Sequence, residues 1–242
     1  MRIGGRVRRL RFTGADGSLA IEADGKLSAA DAKQARRIAT RVFRLDDDLS
    51  PFYARIAHDP EMVWAIGAGR LLASPTVFED VVKTICTTNC SWSATTRMVG
   101  ALVELGEGAF PDAEQLAKTP ERWFADVARM GYRGPYIRSV AREVARGELD
   151  LDALLPARAR DPVAVEETLL QLPGVGPYAA AHIMQLLGYH HRLVLDSWTR
   201  PKFLTLTKKK RAADSTIVRA FARYGPYAGL AFWLFLTKDW LT

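Results

Sequence analysis

Residues 169–203, LLQLPGVGPYAAAHIMQLLGYHHRLVLDSWTRPKF, decide the fold. The stretch opens on the end of an apolar helix pattern and breaks at Leu172-Pro173-Gly174-Val175-Gly176-Pro177. Gly174 and Gly176 suit positive φ or the close approach of another chain. Pro177 suits the first position of a new helix, where its missing N–H costs nothing. The spacing predicts that helix over 178–187, with Gly188 at its end. The reading is a helix, a glycine hairpin and a second helix. The hairpin's free N–H groups and the second helix's N-terminus would face a phosphate well. Asp196 stands in an apolar run eight residues past Gly188.

On either side of this stretch the pattern is largely helical. Ser28 is placed to cap a helix through Val42, with Asp31 three residues on. Further helices are expected from Ser50-Pro51 and Asp59-Pro60, over 77–89, 92–105, 112–118 and 120–129, and from Pro135 to Arg146. Asp161-Pro162 opens the helix into the hairpin, and 213–223 and 226–238 complete the set. Gly-Pro-Tyr recurs at 134, 176 and 225 at unequal spacing, so it is no repeat array; at each, glycine is expected to end one segment and proline to start the next helix. In front, 6–13 and 18–23 read as a small β hairpin around Gly14-Ala15-Asp16-Gly17, with Arg6, Arg8 and Arg9 on its solvated face or against nucleic acid.

The chain has 242 residues, 48% of them hydrophobic, enough for one large domain or two small ones. Its 34 Lys and Arg against 27 Asp and Glu leave a net charge of +7, which suits a polyanionic partner without specifying a mechanism. Cys86 and Cys90 exclude a disulfide framework and fit a reducing compartment; as C-x3-C they are half a metal site with no second pair. The N-terminus lacks the apolar segment of a signal peptide, and the most apolar run, Leu230 to Leu236, is far short of a membrane span.

LPGVGPYAAAHI (172–183) resembles the helix–hairpin–helix of the base-excision DNA glycosylases, and VLDSWTR (194–200) the segment carrying their catalytic aspartate. The likeness extends to RVFRLDDDLSPFY (41–53), RLLASPTVFEDVVKTICTTN (70–89), MGYRGPYI (130–137) and YGPYAGLAFWLF (224–235), and is nearest the 8-oxoguanine and 3-methyladenine glycosylase II branch. The first 40 residues lack a match and are short for that branch's N-terminal sheet. The resemblance implies a mainly α, two-lobed helix–hairpin–helix glycosylase fold with a short N-terminal β fragment. It implies a hairpin at 1–27, a lobe of 28–75 with 196–242, and a central lobe of 76–195 containing the helix–hairpin–helix at 169–188.

The same resemblance assigns residues. Asp196 would be catalytic, stabilising the positive charge that builds on deoxyribose as the N-glycosidic bond breaks; the capping of a helix begun by Ser197-Trp198-Thr199 is its other reading. Gly174, Val175 and Gly176 would grip a phosphate. Asn89 and Tyr132 would fill the stack vacated by a flipped nucleotide and Arg133 would hold the orphaned base; alone, each is also an ordinary helix end, packing residue or surface charge. Lys208 and Lys209, in a basic loop, would contact phosphates or simply face water. Bifunctional relatives carry a lysine where this chain has Tyr178; a phenol forms no Schiff base, so hydrolysis with no lyase step is expected. Lys202 is a conceivable substitute amine. The base-pocket positions hold His182, Phe232 and Leu236 in place of a cysteine, a glutamine and a phenylalanine, with Tyr178 also assigned to the pocket and Trp233 and Trp198 adding aromatic surface. Losing the glutamine turns expectation from 8-oxoguanine toward cationic alkylated purines, which aromatic faces attract, although aromatics on a closing helix are commonly core.

The implied partner is duplex DNA holding a damaged base, with no membrane contact, bound by a monomer. The implied location is the cytoplasm at the nucleoid in a bacterium and the nucleus otherwise. The iron–sulfur cluster of some relatives needs four cysteines and is not expected. A sodium or potassium ion at the backbone carbonyls of Leu170, Leu172 and Val175 is implied as in relatives. An 8-oxoguanine enzyme and a catalytically silent lesion-binding protein are the alternative functions.

Overall fold

Side-chain caps start several of the helices. In a computed structural model, which describes every residue except Asp16, Ala159, Arg160 and Thr242, Ser28 accepts a hydrogen bond from Asp31 N at 3.1 Å and starts α1 (Ala29–Val42). Thr76 likewise caps α3 (Val77–Thr87), Ser91 caps α4 (Trp92–Leu105) and Asp112 caps α5 (Ala113–Lys118). Each side chain satisfies a backbone N–H that the first turn leaves without a partner. The described chain divides into two compact units: Met1–Asp46 with Leu72–Ala153 and Leu172–Gly174, and Asp47–Leu71 with Leu154–Gln171 and Val175–Thr242. This boundary differs from the lobes drawn from the resemblance: α1 groups with the segment after residue 72, and the hairpin's two sides fall in different units.

The first unit begins with two antiparallel ladders. β1 (Arg2–Ile3) pairs with β2 (Arg6–Val7), and β3 (Leu10–Ala15) pairs with β4 (Ser18–Ala23) in the register Leu10↔Ala23 to Ala15↔Ser18. The expected first strand over 6–13 is therefore two short pieces. Gly4 and Gly5 turn the chain between β1 and β2 at φ 55° and 74°. Of the turn at 14–17, Asp16 lies outside the described residues. Ile3 packs with Ala35 and Ile38 of α1, beneath Leu10 and Ile21. After α5 the chain makes a π-helical turn, Trp123–Val127, where 120–129 reads as a helix in sequence. It then enters α6 (Arg133–Ala145). That helix begins two residues before Pro135, so Gly134 does not end a segment. Gly134 is needed for packing, because a Cβ there would lie 2.7 Å from Cβ of Phe124. Val81, Ile85, Met98, Leu102, Leu116, Phe124, Ile137 and Val140 are buried in this unit.

The second unit holds α2 (Ser50–Ile56), α7 (Pro162–Gln171), α8 (Pro177–Leu187), α9 (Thr199–Leu206), α10 (Asp214–Phe221) and α11 (Ala228–Leu241). The helix expected from Asp59-Pro60 is a single 3-10 turn, Val63–Ala65. There Asp59 accepts from Glu61 N, Tyr224 OH and Arg223, and fixes a turn in place of a helix. Phe52, Ile56, Met62, Phe203, Ile217, Phe221, Leu230, Phe232, Leu234 and Leu236 form one core cluster. Gly225, at φ 56° and ψ −124°, kinks the chain before α11, and Pro226 follows inside that turn. No helix among the described residues is long and apolar enough to cross a membrane.

Candidate functional site

The hairpin forms as its spacing predicts. Gly176 caps α8, Pro177 is its first residue, and Gly188 ends it in the left-handed region at φ 109°. The two glycines of the hairpin serve different ends. Gly174 sits at φ 81°, and a Cβ on it would come within 2.8 Å of Tyr136 Cδ2 and 3.4 Å of Ile85 Cγ2. Gly176 has φ −95°, open to any residue, and nothing within 4 Å of where a Cβ would stand. The fold therefore demands glycine at 174 and leaves 176 bare to solvent. No side chain caps α8, so its first N–H groups keep their unsatisfied positive ends. Val175 is buried.

Past α8 the chain runs through residues 189–195 to Asp196, and three contacts fix that run within the second unit. Tyr189 OH donates to Leu154 O at 3.1 Å, Gly229 N donates to His190 O at 2.7 Å, and the buried Gln185 donates from Nε2 to Arg192 O at 3.2 Å. A side chain at 229 would collide with Arg192 O and come within 2.7 Å of Gln185 Nε2. The Arg192 guanidinium is held by Glu166 of α7 at 2.7 Å. Gln185 and Gly229 escape a reading of the sequence because neither residue type signals a role until the run is seen packed against both helices.

Of its two sequence readings, Asp196 displays the capping one in its hydrogen bonds. Its Oδ1 accepts from Trp198 N at 2.8 Å and Thr199 N at 2.6 Å, and its own N donates to Thr199 Oγ1 at 2.8 Å. This reciprocal cap starts α9. Among the described residues Oδ2 receives no hydrogen bond, so one carboxylate oxygen organises the fold and the other is available to a ligand. His182, on α8, is in electrostatic reach. Burial pushes its pKa below the ordinary value, and the Asp196 charge pulls the other way. Tyr178, one turn earlier, meets the His182 ring edge-on at 6.1 Å. Trp198 belongs to a cluster with Trp233 and Trp240, at ring separations of 5.8 Å, 5.6 Å and 6.0 Å. Trp198 and Trp240 are 40% and 61% exposed.

Two of the expected pocket residues are placed elsewhere. Phe232 and Leu236 are 1% and 0% exposed, and Phe232 packs against Phe203 and Phe221. Four residues apart, they share the face of α11 that fills the core. Trp233 is rotated about 100° from Phe232, and Trp240 lies two turns beyond it on the same face. Trp240 escapes the sequence reading because the last helix is expected to end at 238, and it continues to Leu241. The i, i+7 spacing of the two tryptophans is the signal that finds it.

The remaining candidates lie in the first unit, apart from the lysines at the end of α9. Asn89 follows the end of α3 with φ 45°, a left-handed conformation that asparagine tolerates better than most residues. Its Nδ2 donates to Tyr132 OH at 3.3 Å. Tyr132 is 48% exposed and meets Tyr136 edge-on at 5.9 Å. The structure thus brings Asn89, Tyr132 and, through Tyr136, Gly174 together. Arg133 is placed differently from the expected base reader. It is 7% exposed, its Nε donates to Thr88 O at 3.0 Å, NH2 donates to the same oxygen, and NH1 donates to Met130 O at 3.4 Å. Its guanidinium stacks on the Tyr132 ring at 4.5 Å. Arg133 ties the end of α3 to the start of α6 and offers no free edge here. Lys208, at φ 54°, and Lys209 are exposed where α9 ends, with their N–H groups bonded to Thr205 O and Leu204 O.

Among the described residues no turn or loop N–H donates to the backbone carbonyls of Leu170, Leu172 or Val175. Among the described residues no three His, Cys, Asp or Glu side chains are grouped to hold a metal ion. Burial raises the Cys86 thiol to about 12, and Cys90 Sγ donates to Cys86 O at 3.2 Å.

No protein-family model matches the chain. It is similar to a DNA-3-methyladenine glycosylase of Bacillus subtilis, 25% identical over 155 residues, covering 59% of this chain and 50% of that protein. It is also similar to a probable N-glycosylase/DNA lyase of Methanothermobacter thermautotrophicus, 27% identical over 222 residues, covering 77% of this chain and 69% of that one. The match therefore spans half the length of the Bacillus relative. Among solved structures, the 3-methyladenine DNA glycosylase of Archaeoglobus fulgidus superposes with a TM-score of 0.75 at 18% identity, covering 100% of this chain and 86% of that one. At that identity the likeness is one of fold. Both sequence relatives carry the names of DNA glycosylases, and the fold of the chain is that of the Archaeoglobus enzyme.

Proposed function

We propose that the chain is a monofunctional DNA N-glycosylase that hydrolyses the N-glycosidic bond of a flipped, damaged purine in duplex DNA. The observation that carries the reading is Asp196: one oxygen is anchored by two backbone N–H groups and the other receives no hydrogen bond among the described residues, two residues before exposed Trp198. Extrusion of the nucleotide brings its sugar to this carboxylate. As the C1′–N bond breaks, its electron pair leaves with the base, and the open oxygen stabilises the positive charge on deoxyribose. Water attacks C1′ and gives its proton to Asp196. A base alkylated to a cation leaves neutral, so no second carboxylate is required, in contrast to the paired acids of sugar hydrolases. The exposed tryptophans favour that class of base through cation–π attraction. Gly176, which the fold itself does not need as glycine, and the uncapped N-terminus of α8 support docking of a phosphate there. A cation on the carbonyls of Leu170, Leu172 and Val175 would stiffen the hairpin and add positive charge.

Hydrolysis without a lyase step is supported by the amines. Tyr178 has none, and the Lys202 ammonium is held by Asp239 at 2.6 Å, where a protonated nitrogen is no nucleophile. The Asn89–Tyr132 pair favours a second reading, an 8-oxoguanine enzyme that props the duplex open with these residues. Against it stand the core residue Phe232 at the glutamine position and the engaged guanidinium of Arg133. The test is a panel of duplexes with single alkylated, oxidised or deaminated bases, assayed for base release, strand scission and borohydride trapping. The expected result is release of an alkylated purine with an intact abasic strand and no trapped adduct. A trapped covalent complex overturns hydrolysis, and tight lesion binding with no base released establishes the silent binder.

A further inference from the structure

The first forty residues carry most of the chain's excess charge. They hold nine Lys and Arg against four Asp and Glu, a net +5 of the total +7. Among the described residues only Arg8 of the nine is in an ion pair, with Asp24 at 3.9 Å. Elsewhere surface cations are tied to carboxylates, as Lys118 is to Glu114, Arg192 to Glu166 and Arg200 to Asp214. Three of the unpaired cations, Lys33, Arg36 and Arg37, lie on α1, and each is exposed. Lys33 stands three residues from Arg36 and four from Arg37, spacings that put Cβ atoms about 5–6 Å apart on one face. The opposite face, with Ala35, Ile38 and Ala39, is buried. The described acids of this region are engaged elsewhere. Asp31 abuts Gly4 of the β1–β2 turn, Asp24 accepts from Arg9 N at 3.1 Å, and Glu22 stands opposite Arg11 in the β3–β4 ladder. Like charges at these helical spacings repel, so the stripe works against α1 unless an anion covers it.

We propose that this face of α1 is a contact for the phosphate backbone of duplex DNA, in addition to the residues proposed for the lesion. The choice of DNA rests on the glycosylase reading. Beside the cations stand Ala29, Ala30 and Thr40. A membrane-seated helix needs large apolar residues next to its cations, and an acidic protein partner needs an apolar or aromatic centre. Neither is present. A phosphate backbone needs neither, because its binding is driven by counterion release. The stripe is also tied to the Asn89 segment. Arg41, in the last turn of α1, bonds Asp80 of α3 at 2.6 Å and Ser74 O at 3.0 Å, and Asn89 follows the end of α3. Lys33 to Arg41 and Asp80 to Thr87 measure roughly 12 and 10 Å of helix. One turn of duplex, about 34–36 Å, is long enough to reach from Asn89 to the stripe.

Two variants test this. K33Q/R36Q/R37Q removes three charges, and R36K/R37K keeps them. Binding to an undamaged duplex of about two helical turns is followed by anisotropy from about 50 to 200 mM salt. In the glutamine variant the slope of log Kd against log salt is expected to fall by about 2–3, at about 0.9 for each phosphate lost, and Kd at the lower salt to weaken roughly tenfold to a hundredfold. R36K/R37K is expected to keep the parental slope. Single-turnover base release with saturating protein is expected to stay within about twofold in both. An unchanged slope in the glutamine variant overturns the inference. An equal loss of slope in R36K/R37K overturns it as well, because it marks a disturbed helix and not a lost charge. An unchanged duplex slope with lost binding to phosphatidylglycerol vesicles or to polyglutamate assigns the face to that partner instead. Failure of the glycosylase reading is seen separately, as a parent protein that binds duplex with its full salt slope and releases no base from any lesion.

Discussion

Replacing Asp196 separates its two roles. The amide introduced by D196N keeps an oxygen for Trp198 N and Thr199 N, which lie 2.8 and 2.6 Å from Oδ1 of the aspartate, and removes the charge. Hydrogen bonds to a charged acceptor are worth about 1.5–3 kcal/mol against about 1 for a neutral one, an excess that partial exposure reduces. D196N should therefore cost about 1 kcal/mol of stability, a Tm drop of about 2–4 °C for a chain of this size. D196A loses the cap outright, about 2 kcal/mol, or about 4–8 °C. The chemistry should respond otherwise, because both variants lack the charge that faces the sugar, and both should lose roughly a thousandfold in rate. Single-turnover base release with excess protein, beside thermal melts of the same preparations, measures the two effects independently. The reasoning is refuted if D196N keeps base release within about tenfold of the parent, or if residual rates follow the melting temperatures, with the asparagine variant well above the alanine one.

The two hairpin glycines form a matched pair. G174A meets both a positive φ and Tyr136 at 2.8 Å and should melt several degrees lower. G176A has an ordinary φ and open space, so its Tm should hold or rise slightly while its Kd for duplex DNA weakens about tenfold or more; unchanged binding by filter or anisotropy assay would remove the phosphate from this position. G229A pushes the 189–195 run away from α11 and should cost about 1–3 kcal/mol, with a loss of base release beyond what melting at the assay temperature explains. Acid should destabilise the fold through two partly buried histidines. His182 and His191 are both held below the ordinary 6.5, burial being the main cause in each. The unfolded chain then binds more protons than the folded one below that pH, so this stability is fully present above about 6.5 and declines as pH falls toward the folded values. At pH 5.5 the loss is at most about 1.4 kcal/mol for a histidine that stays neutral, and H182N should show a smaller fall in Tm between pH 7.5 and 5.5 than the parent.

The local signals were legible because they are local. Ser28, the Ser50-Pro51 start, the 18–23 strand and the Gly-Val-Gly-Pro hairpin act through hydrogen bonds and torsions within a few residues, and each element formed where its cap or turn placed it. The resemblance pointed to Asp196 by the same kind of short motif. Tertiary packing decided the rest. Whether an aromatic on α11 faces core or solvent depends on which stripe of the helix meets Phe203 and Phe221; that buried Phe232 and Leu236 and left Trp240 exposed. Whether Arg133 reads a base or clasps a carbonyl depends on where the end of α3 arrives, forty-five residues earlier in the chain. Gln185 and Gly229 acquired a role only when the segment before Asp196 passed close to both. Neighbouring residues set torsions and caps, and so the sequence by itself determined most of the elements and the motif, while distant contacts turned the expected helix at Asp59-Pro60 into a 3-10 turn. Contacts between residues far apart in sequence decided which side chains remain free for a ligand, because burial is a property of the assembled fold.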